Sequence, residues 1–235
     1  MEYPVPADPA SPLLRFRDLH AGARAVIVCN GPSLNHMDLS FLRREVTFGL
    51  NKIHLGLPRF GFYPRYLVAV NDRVIAQEAA AFRAMTCIKF LTSRAADLLS
   101  QDALTYHIHT TGLGGRFYRD ITMGVHEGHT VTHAALQIAY YMGFSEVVII
   151  GMDHRFEAHG TPDAPQHLAG PDPNHFSPDY FRDQTWDLPN LEESEISYRA
   201  ARDIYAAEGR RIVDATLNGA CDIFEKVYYK KLFGI

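Results

Sequence analysis

The chain has 235 residues, 47% of them hydrophobic and 21% charged, which suffices for one globular domain with a substantial core. Its 23 lysines and arginines against 27 aspartates and glutamates exclude a protein held on nucleic acid by bulk positive charge. The sequence contains neither the ~20 continuous apolar residues of a membrane span nor a secretory signal. Three scattered cysteines argue against a disulfide framework, so we expect a cytoplasmic location.

Along the chain, short apolar runs alternate with helical patterns. Residues 1–20 hold four prolines and predict an irregular leader, and residues 21–235 predict a single domain. The runs rich in β-branched residues predict strands over 24–29, 46–50, 66–70, 87–91, 105–109, 146–150 and 211–214. The helical patterns predict helices over 72–85, 93–100, 130–142 and 191–208.

This alternation is typical of an α/β fold: a Rossmann-like, mostly parallel sheet flanked by helices. In such sheets ligands bind beyond the carboxyl ends of the strands, so the functional search begins there. Residues 152–190 lack clear periodicity but contain prolines, histidines and aromatic residues. A long aromatic-rich segment of this kind indicates a lid or binding loop over the site.

The first strand ends in Asn30-Gly31-Pro32-Ser33. A glycine at this point lets the backbone approach a ligand closely, and Asn30 and Ser33 offer hydrogen-bonding groups, which suits a nucleotide phosphate or ribose. The segment lacks the three spaced glycines of a dinucleotide fingerprint and the lysine and hydroxyl of a P-loop. An ordinary strand-to-helix turn capped by Ser33 explains it equally well.

Two further clusters carry possible chemistry. His129 and His133 stand four residues apart, but Thr130 occupies the position where a zincin motif needs glutamate. We therefore favour a helix start at Thr130 that binds an anion, and a role for His133 in the core. Gly151 and Asp153 follow a predicted buried strand and should face the same crevice as Asn30. His175, in the lid, has the chemistry of a general base, although a solvated surface histidine is the simpler alternative.

The order of these motifs resembles that of bacterial sialyltransferase-type glycosyltransferases, and equally that of the motility accessory factors and MptE-like 6-hydroxymethylpterin diphosphokinases. The resemblance extends over about residues 24–230. Its residues are Asn30-Gly-Pro-Ser-Leu34, Asn51, Asn71-Asp72, Gly128-His-Thr130, Gly151-x-Asp153 and His175-Phe-x-x-Asp-Tyr180.

The sialyltransferase resemblance implies a modified GT-A sheet with a lid, a CMP-linked acidic sugar as donor, inversion of configuration and no metal or other cofactor. It implies that Asn30, Gly31 and Ser33 contact the donor phosphate and ribose. It further implies that Asn51 and Asn71 hold the nucleotide or sugar, that Thr130 approaches the carboxylate or ribose, and that Gly151 and Asp153 line the cytidine end. His175 would be the general base for an acceptor hydroxyl.

One departure from that family concerns the leaving phosphate. Where sialyltransferases place tyrosines after Gly-x-Asp, this chain has Arg155 and Phe156. Arg155 can bind a phosphate bidentately, or can indicate another donor such as CMP-Kdo, and Tyr180 remains a candidate phenol. Under the alternative of a pyrophosphoryl transferase, Mg²⁺ would need carboxylates such as Asp72 and Asp153. A non-catalytic nucleotide-binding module is the third alternative.

The expected partners are a nucleotide-sugar donor and a glycan or lipid-linked acceptor in bacterial cell-surface glycan synthesis, with homo-oligomer formation left open. The C-terminal segment 224–235 mixes lysines with aromatic residues. It can rest on an anionic membrane surface as a peripheral contact, although such segments more often pack on the core with solvated lysines.

Overall fold

An eight-stranded sheet, in which every neighbouring pair of strands is parallel, forms the centre of the computed structural model, which describes residues 10–157 and 159–235. The sheet order is β12-β11-β8-β1-β2-β3-β4-β5. In chain order the strands are β1 Arg24–Val28, β2 Val46–Leu50, β3 Tyr66–Ala69, β4 Ile88–Thr92, β5 Thr105–Ile108, β6 Thr110–Thr111, β7 Val125–His126, β8 Glu146–Ile150, β9 Pro165–Leu168, β10 Gln184–Asp187, β11 Arg211–Asp214 and β12 Glu225–Lys226.

Helices cover both faces of this sheet. They are α1 Leu57–Phe60, α2 Asp72–Ala84, α3 Val131–Tyr141, α4 Leu191–Ala207 and α5 Tyr229–Phe233. Short 3₁₀ helices span Pro12–Phe16, Pro32–His36, Ser40–Arg44, Ile53–Gly56, Ser93–Ala95 and Ile121–Met123.

The strands are buried on both sides, as their apolar sequences predict. Along β1, Ala25 and Ile27 belong to the core beneath α3 and α4, whereas Val26 and Val28 belong to the core beneath α2 and the lid. Successive side chains of a strand point to opposite faces, so a fully apolar run fills two cores at once.

All seven predicted strands lie in the large sheet, and three of the four predicted helices are present. The helix predicted over 93–100 is wrong, because this stretch forms only the 3₁₀ turn Ser93–Ala95 followed by irregular turns. Eight residues do little to offset the cost of helix nucleation, and Arg94 reaches away to Asp72 and Glu127.

The predicted leader, residues 1–20, lies partly outside the described residues, which begin at 10. From there it is less irregular than predicted: Ser11 caps the 3₁₀ helix Pro12–Phe16, which buries Leu13 and Phe16 in the core. Phe16 packs edge-on against Phe90 and Tyr106 at ring-centroid distances of 4.9 and 4.8 Å.

Residues 152–190, the predicted lid, extend over the carboxyl ends of the strands and include an antiparallel hairpin of β9 and β10. Backbone bonds tie the lid to the loop after β1. The Phe176 N–H donates to the Asn30 carbonyl at 2.8 Å, and Asn35 Nδ2 donates to the Phe176 carbonyl at 2.9 Å. The segment that carries His175 is therefore joined directly to the loop that carries Gly31.

The connections reverse direction at β1. The chain proceeds from β1 outward through β2 to β5, then crosses back to β8 on the other side of β1 and continues to β11 and β12. Such a reversal opens a crevice between the loops that follow the two central strands. The loops after β1 and β8 are those that carry Asn30-Gly31 and Gly151-Asp153.

The C-terminal segment packs on the core. Tyr229 is buried, and Phe233 stacks on Phe41 with ring centroids 4.0 Å apart, while Lys230 and Lys231 are exposed. In the described part of the chain, no helix is both long enough and apolar enough to span a bilayer.

His133 lies in the core of α3, as predicted, and makes stability depend on pH. Burial lowers the pKa of His133 to about 4 from an ordinary value of 6.5. Between these values the unfolded chain binds a proton that the folded chain does not, so stability falls as pH drops. By pH 4 the loss should reach about 3 kcal/mol. Burial also lowers the pKa of His20 and His126, which act in the same direction.

Urea unfolding measured at several pH values through this window checks the expectation. A His133→Gln variant, which keeps a donor for the Arg116 carbonyl, should show a clearly shallower decline. Identical declines in the two proteins would contradict the role of His133.

Candidate functional site

Two hollows open at the carboxyl edge of the sheet. The first hollow, of about 770 Å³, lies over the ends of β1 and β8. Nine of the eleven predicted site residues line it: Asn30, Gly31, Asn51, Thr130, Gly151, Asp153, Arg155, His175 and Tyr180. The second hollow, of about 950 Å³, adjoins it and extends towards the start of α2, where Asn71 and Arg73 line it together with Trp186 and Asp187.

A wall shared by the two hollows contains His175, Phe156 and Phe181. Tyr180 lines only the first hollow and Trp186 only the second. His175 therefore stands between two spaces that can each hold a ligand.

Gly31 is required by a close approach between the loops after β1 and β8. Its N–H donates to the Gly151 carbonyl at 2.8 Å, and a Cβ at this position would lie 1.9 Å from Asp153 Oδ2. Asp153 in turn accepts from the Ser33 N–H at 3.1 Å and from the Ser33 hydroxyl at 2.7 Å. The carboxylate thus caps the 3₁₀ helix after Gly31, while Ser33 lines neither hollow and serves this cap.

Gly31→Ala should therefore disrupt the site. The added methyl must displace Asp153 and break the cap on Ser33, which should cost about 1–3 kcal/mol of unfolding free energy. Chemical denaturation checks this loss. Gly114→Ala provides a control for the added methyl, since a Cβ there would have His126 Cε1 as its nearest neighbour at 3.9 Å and the backbone φ is not positive. Equal stability of wild type and Gly31→Ala would contradict the close approach.

Two asparagines leave buried acceptors without a partner among the described residues. Asn30 donates through Nδ2 to the Leu50 carbonyl at 3.1 Å, but its Oδ1 is unpaired. Asn51 has a left-handed backbone with φ of 47°, and its Oδ1 is also unpaired. A buried unpaired polar atom is costly, so both oxygens are candidates to accept hydrogen bonds from a ligand.

Asn71 lies in the second hollow instead of the first. Its Oδ1 caps α2 by accepting from the Val74 N–H at 3.0 Å, and its Nδ2 donates to Asp187 Oδ2 at 2.9 Å. This side chain therefore joins the start of α2 to the lid hairpin.

Thr130 lies at the start of α3 and lines both hollows. It accepts from the Thr132 N–H at 3.3 Å and is hydrogen-bonded to the Tyr198 hydroxyl at 3.2 Å. The positive end of the α3 dipole points at the shared edge of the hollows, which favours an anion there.

His175 and Asp172 form a hydrogen-bonded dyad. His175 Nδ1 donates to Asp172 Oδ2 at 2.8 Å, and the Asp172 side chain is only 1% exposed. A second Asp172 oxygen accepts from the Asn174 N–H at 2.8 Å, which fixes the carboxylate. With Nδ1 as donor, Nε2 is the acceptor nitrogen, and it has no partner among the described residues. An imidazole held in this way can take a proton from a ligand.

Tyr180, considered above as a phenol for the leaving phosphate, lies beneath the lid against His175 and lines the first hollow. Its ring stacks on His175 with centroids 3.9 Å apart and planes 3° apart, and its buried hydroxyl accepts from the Lys52 N–H at 3.3 Å. Burial raises the pKa of the Tyr180 hydroxyl far above its usual value. Because the hydroxyl is already engaged beneath the lid, Tyr180 supports the His175 ring.

Arg155 and its neighbour His154 stand at the mouth of the first hollow. Arg155 is exposed and donates to the Asn218 carbonyl, while His154 pairs with Glu195 on α4 at 3.0 Å. The Arg155 guanidinium has five donors, so most remain free for an anion.

The two carboxylates considered for Mg²⁺ do not converge on one hollow, since Asp153 lines the first and Asp72 lines neither. Both Asp153 oxygens accept from Ser33, and both Asp72 oxygens accept from Arg94 Nε. Within the described ranges, no group of three or more histidine, cysteine, aspartate or glutamate side chains has an arrangement suited to a metal ion.

A buried cluster beneath the lid has no counterpart in the sequence predictions. The Lys52 side chain is fully buried and contacts Glu78 Oε1 at 3.0 Å and Gln184 Oε1 at 2.6 Å, while His54 pairs with the other Glu78 oxygen at 3.0 Å. Burial lowers the pKa of the Lys52 ammonium. Burial by itself would raise the pKa of Glu78, but hydrogen bonds from His54 and Lys52 hold it below its usual value. We refer to Lys52, His54, Glu78 and Gln184 as the lid anchor.

A parallel sheet with two adjoining hollows at its switch point defines an α/β protein of the open-sheet class, whose members bind ligands beyond the strand ends. The chain belongs to the MptE-like family, described as 6-hydroxymethylpterin diphosphokinase MptE-like, whose sequence model matches residues 5–159. That match confirms the resemblance to the MptE-like family drawn from the motifs. It ends before Asp172 and His175.

The structure of the MAf glycosyltransferase from Magnetospirillum magneticum AMB-1 has a similar fold, with a TM-score of 0.59 and 14% sequence identity. The similarity covers 91% of this chain and 35% of that one, so the chain spans about a third of the length of the MAf protein. It confirms the Rossmann-like fold that the sequence predicts. None of the curated proteins matches this chain.

Proposed function

We propose that this protein is a metal-independent, inverting glycosyltransferase that moves an acidic sugar from a CMP-sugar to an acceptor hydroxyl in bacterial cell-surface glycan synthesis. The observation that carries the proposal is the His175–Asp172 dyad, whose histidine lines both hollows and bonds to Asp172 through Nδ1. A base between two binding spaces suits a reaction between two substrates. The fold shared with a MAf glycosyltransferase supports this choice.

The proposed reaction has one displacement step. The acceptor O–H gives its proton to His175 Nε2 while its oxygen forms a bond to the anomeric carbon of the donor sugar. The bond from that carbon to the phosphate oxygen breaks, and its electron pair leaves with CMP. Attack from the face opposite the phosphate inverts the configuration. Asp172 keeps Nδ1 protonated and stabilises the imidazolium that forms.

The phosphate of the departing CMP fits the first hollow. The start of α3 at Thr130 and the guanidinium of Arg155 present positive charge there, and the Asp153 carboxylate is turned towards Ser33, from which it accepts two hydrogen bonds. Since CMP is already a stable leaving group, placed charges and orientation suffice for the step without a metal ion.

Pyrophosphoryl transfer is the second candidate, and the description of the family favours it. It requires carboxylates that hold Mg²⁺ at one site, whereas Asp153 lines the first hollow and Asp72 lines neither hollow. We therefore rank it below sugar transfer.

Thermal unfolding in the presence of CMP, UDP, GDP and ATP, each with and without EDTA, tests the proposal. CMP should raise the melting temperature equally with and without the chelator, corresponding to about 2.7 kcal/mol at a hundredfold excess over Kd. Stabilisation by ATP alone, and only with Mg²⁺, would establish the pyrophosphoryl transferase instead.

A pair of arginine variants ties binding to the first hollow. Arg155→Gln should weaken CMP binding about tenfold, the usual effect of losing a charge-assisted hydrogen bond. Arg182→Gln, in the lid but outside both hollows, should leave it unchanged. Equal CMP affinity of the two variants would show that Arg155 does not bind the phosphate.

A further inference from the structure

We infer that the second hollow is the acceptor subsite and that it takes a neutral, hydroxyl-rich sugar ring. This inference rests on the proposed function, because it assigns the other substrate of the same reaction. It is carried by the charges of the second hollow, by an unpaired indole donor in its wall and by its position across His175 from the first hollow.

The two hollows differ in charge. The first contains one aspartate, Asp153, which Ser33 already engages, together with Arg155. The second contains three carboxylates, Glu127, Asp163 and Asp187, of which Glu127 is paired with Arg94 at 2.7 Å and Asp187 with Arg73 at 3.3 Å. Carboxylates thus outnumber arginines three to two around the second hollow and equal them in the first, so an anionic nucleotide is favoured in the first hollow relative to the second. This difference in charge assigns the donor nucleotide to the first hollow and the acceptor to the second.

The carboxylates of the second hollow are held in place but retain free lone pairs. Asp187 accepts from Asn71 Nδ2 at 2.9 Å and from Arg73 Nε at 3.3 Å, and its side chain is still 31% exposed. Asp163 accepts from Asn190 Nδ2 at 2.8 Å and pairs with His129 at 3.0 Å. A carboxylate has about four acceptor sites. Fixed oxygens of this kind suit the hydroxyl donors of a sugar.

Trp186 provides the second observation. It is 4% exposed and lines the second hollow, yet its indole Nε1 has no partner among the described residues. A buried donor without an acceptor costs free energy, and a hydroxyl oxygen of a bound sugar would satisfy it. Phe181, whose ring centroid is 5.5 Å from that of Trp186, adds apolar surface for the C–H groups of the sugar ring.

The position of His175 completes the argument. Its ring centroid is 6.0 Å from that of Trp186, and His175 lines both hollows. A sugar hydroxyl at the edge where the second hollow adjoins the first can therefore place its proton towards His175 and its oxygen towards the donor carbon in the first hollow. The proton and bond changes are those given for the proposed reaction.

Tryptophan fluorescence provides a direct test, since Trp186 is the single tryptophan of the chain. We would titrate the wild-type protein with methyl β-galactoside, methyl β-glucoside and methyl N-acetyl-β-glucosaminide, and with glucose 6-phosphate as the anionic counterpart. At least one neutral glycoside should change the emission saturably in the millimolar range, and glucose 6-phosphate should bind at least tenfold more weakly. Calorimetry with CMP would be run in parallel.

Two variants and one control test whether the glycoside binds in the second hollow. Asp187→Asn should weaken glycoside binding about tenfold, and Trp186→Phe, read by calorimetry, about fivefold. CMP affinity should stay within about twofold in both. Asp179→Asn makes the same chemical change in the lid outside both hollows and should alter neither affinity.

The outcomes distinguish the two proposals. CMP binding without any effect of the glycosides would overturn the acceptor assignment alone, as would tighter binding of glucose 6-phosphate or of 6-hydroxymethylpterin than of every glycoside. Glycoside binding that requires Asp187, with no CMP binding, would support the sugar subsite and overturn the CMP donor. Absence of both kinds of binding would overturn both proposals.

Discussion

Replacing His175 with alanine is expected to lower the rate of sugar transfer by about 10²–10⁴-fold, the usual contribution of a positioned general base. CMP affinity should change little, because the first hollow keeps Arg155 and the start of α3. Release of CMP in the presence of a CMP-sugar and an acceptor measures the rate, and thermal unfolding with CMP measures binding.

Asp172→Asn should lower the rate in a similar way while leaving the ring in place. The Asn174 N–H keeps the amide oxygen on its side, so the amide NH2 faces His175 and donates to Nδ1; the proton moves to Nε2 and the base is lost. His167→Ala, a lid histidine outside both hollows, is the matched control and should retain full activity. Undiminished transfer by His175→Ala would refute the base assignment while leaving the fold unaffected.

The second large effect is expected for Glu78→Gln. This change leaves the fully buried Lys52 ammonium without its carboxylate, and breaking a buried ion pair from one side typically costs about 3 kcal/mol or more of unfolding free energy. The lid should loosen as well, because the same ammonium holds Gln184, and its nitrogen lies 4.5 Å from the Phe181 ring centroid. Denaturant unfolding and amide hydrogen exchange in residues 176–186 measure the two effects.

A double variant separates charge from packing. Lys52→Met combined with Glu78→Gln removes both charges and should recover part of the stability lost in Glu78→Gln alone. Glu225→Gln, on an exposed edge strand, should change stability by less than about 0.5 kcal/mol. If Glu78→Gln is as stable as Glu225→Gln, the lid anchor makes no net contribution to stability.

The sheet was predictable because its strands are apolar on both faces, and runs such as Arg24–Val28 and Glu146–Ile150 have no other stable location. The edge strand β12 was not predicted because it consists of only two charged residues, which pair with Val213 and Asp214 at the end of β11. The lid hairpin escaped as well. Its strand β9, Pro165–Leu168, is four residues long and has no buried residue, so it carries no hydrophobic period.

The site was predictable where it depends on strand ends. Gly31 and Asp153 were expected in one crevice from their positions after β1 and β8, and they are in direct contact. Lys52 was missed because a lysine after a strand is usually solvated, and only the folded lid encloses it. Asp172 stands three residues before His175, and that spacing was a signal available in the sequence.

The backbone bond between Phe176 and Asn30 bears on the timing of catalysis. Phe176, next to His175, donates to the carbonyl of Asn30 in the loop that begins the first hollow. The proposed base and this loop therefore keep one relative position. Under the proposed function, His175 is in position before the donor nucleotide binds. We therefore expect nucleotide association to follow a single exponential whose rate rises linearly with concentration, without the plateau that a slow closing step imposes.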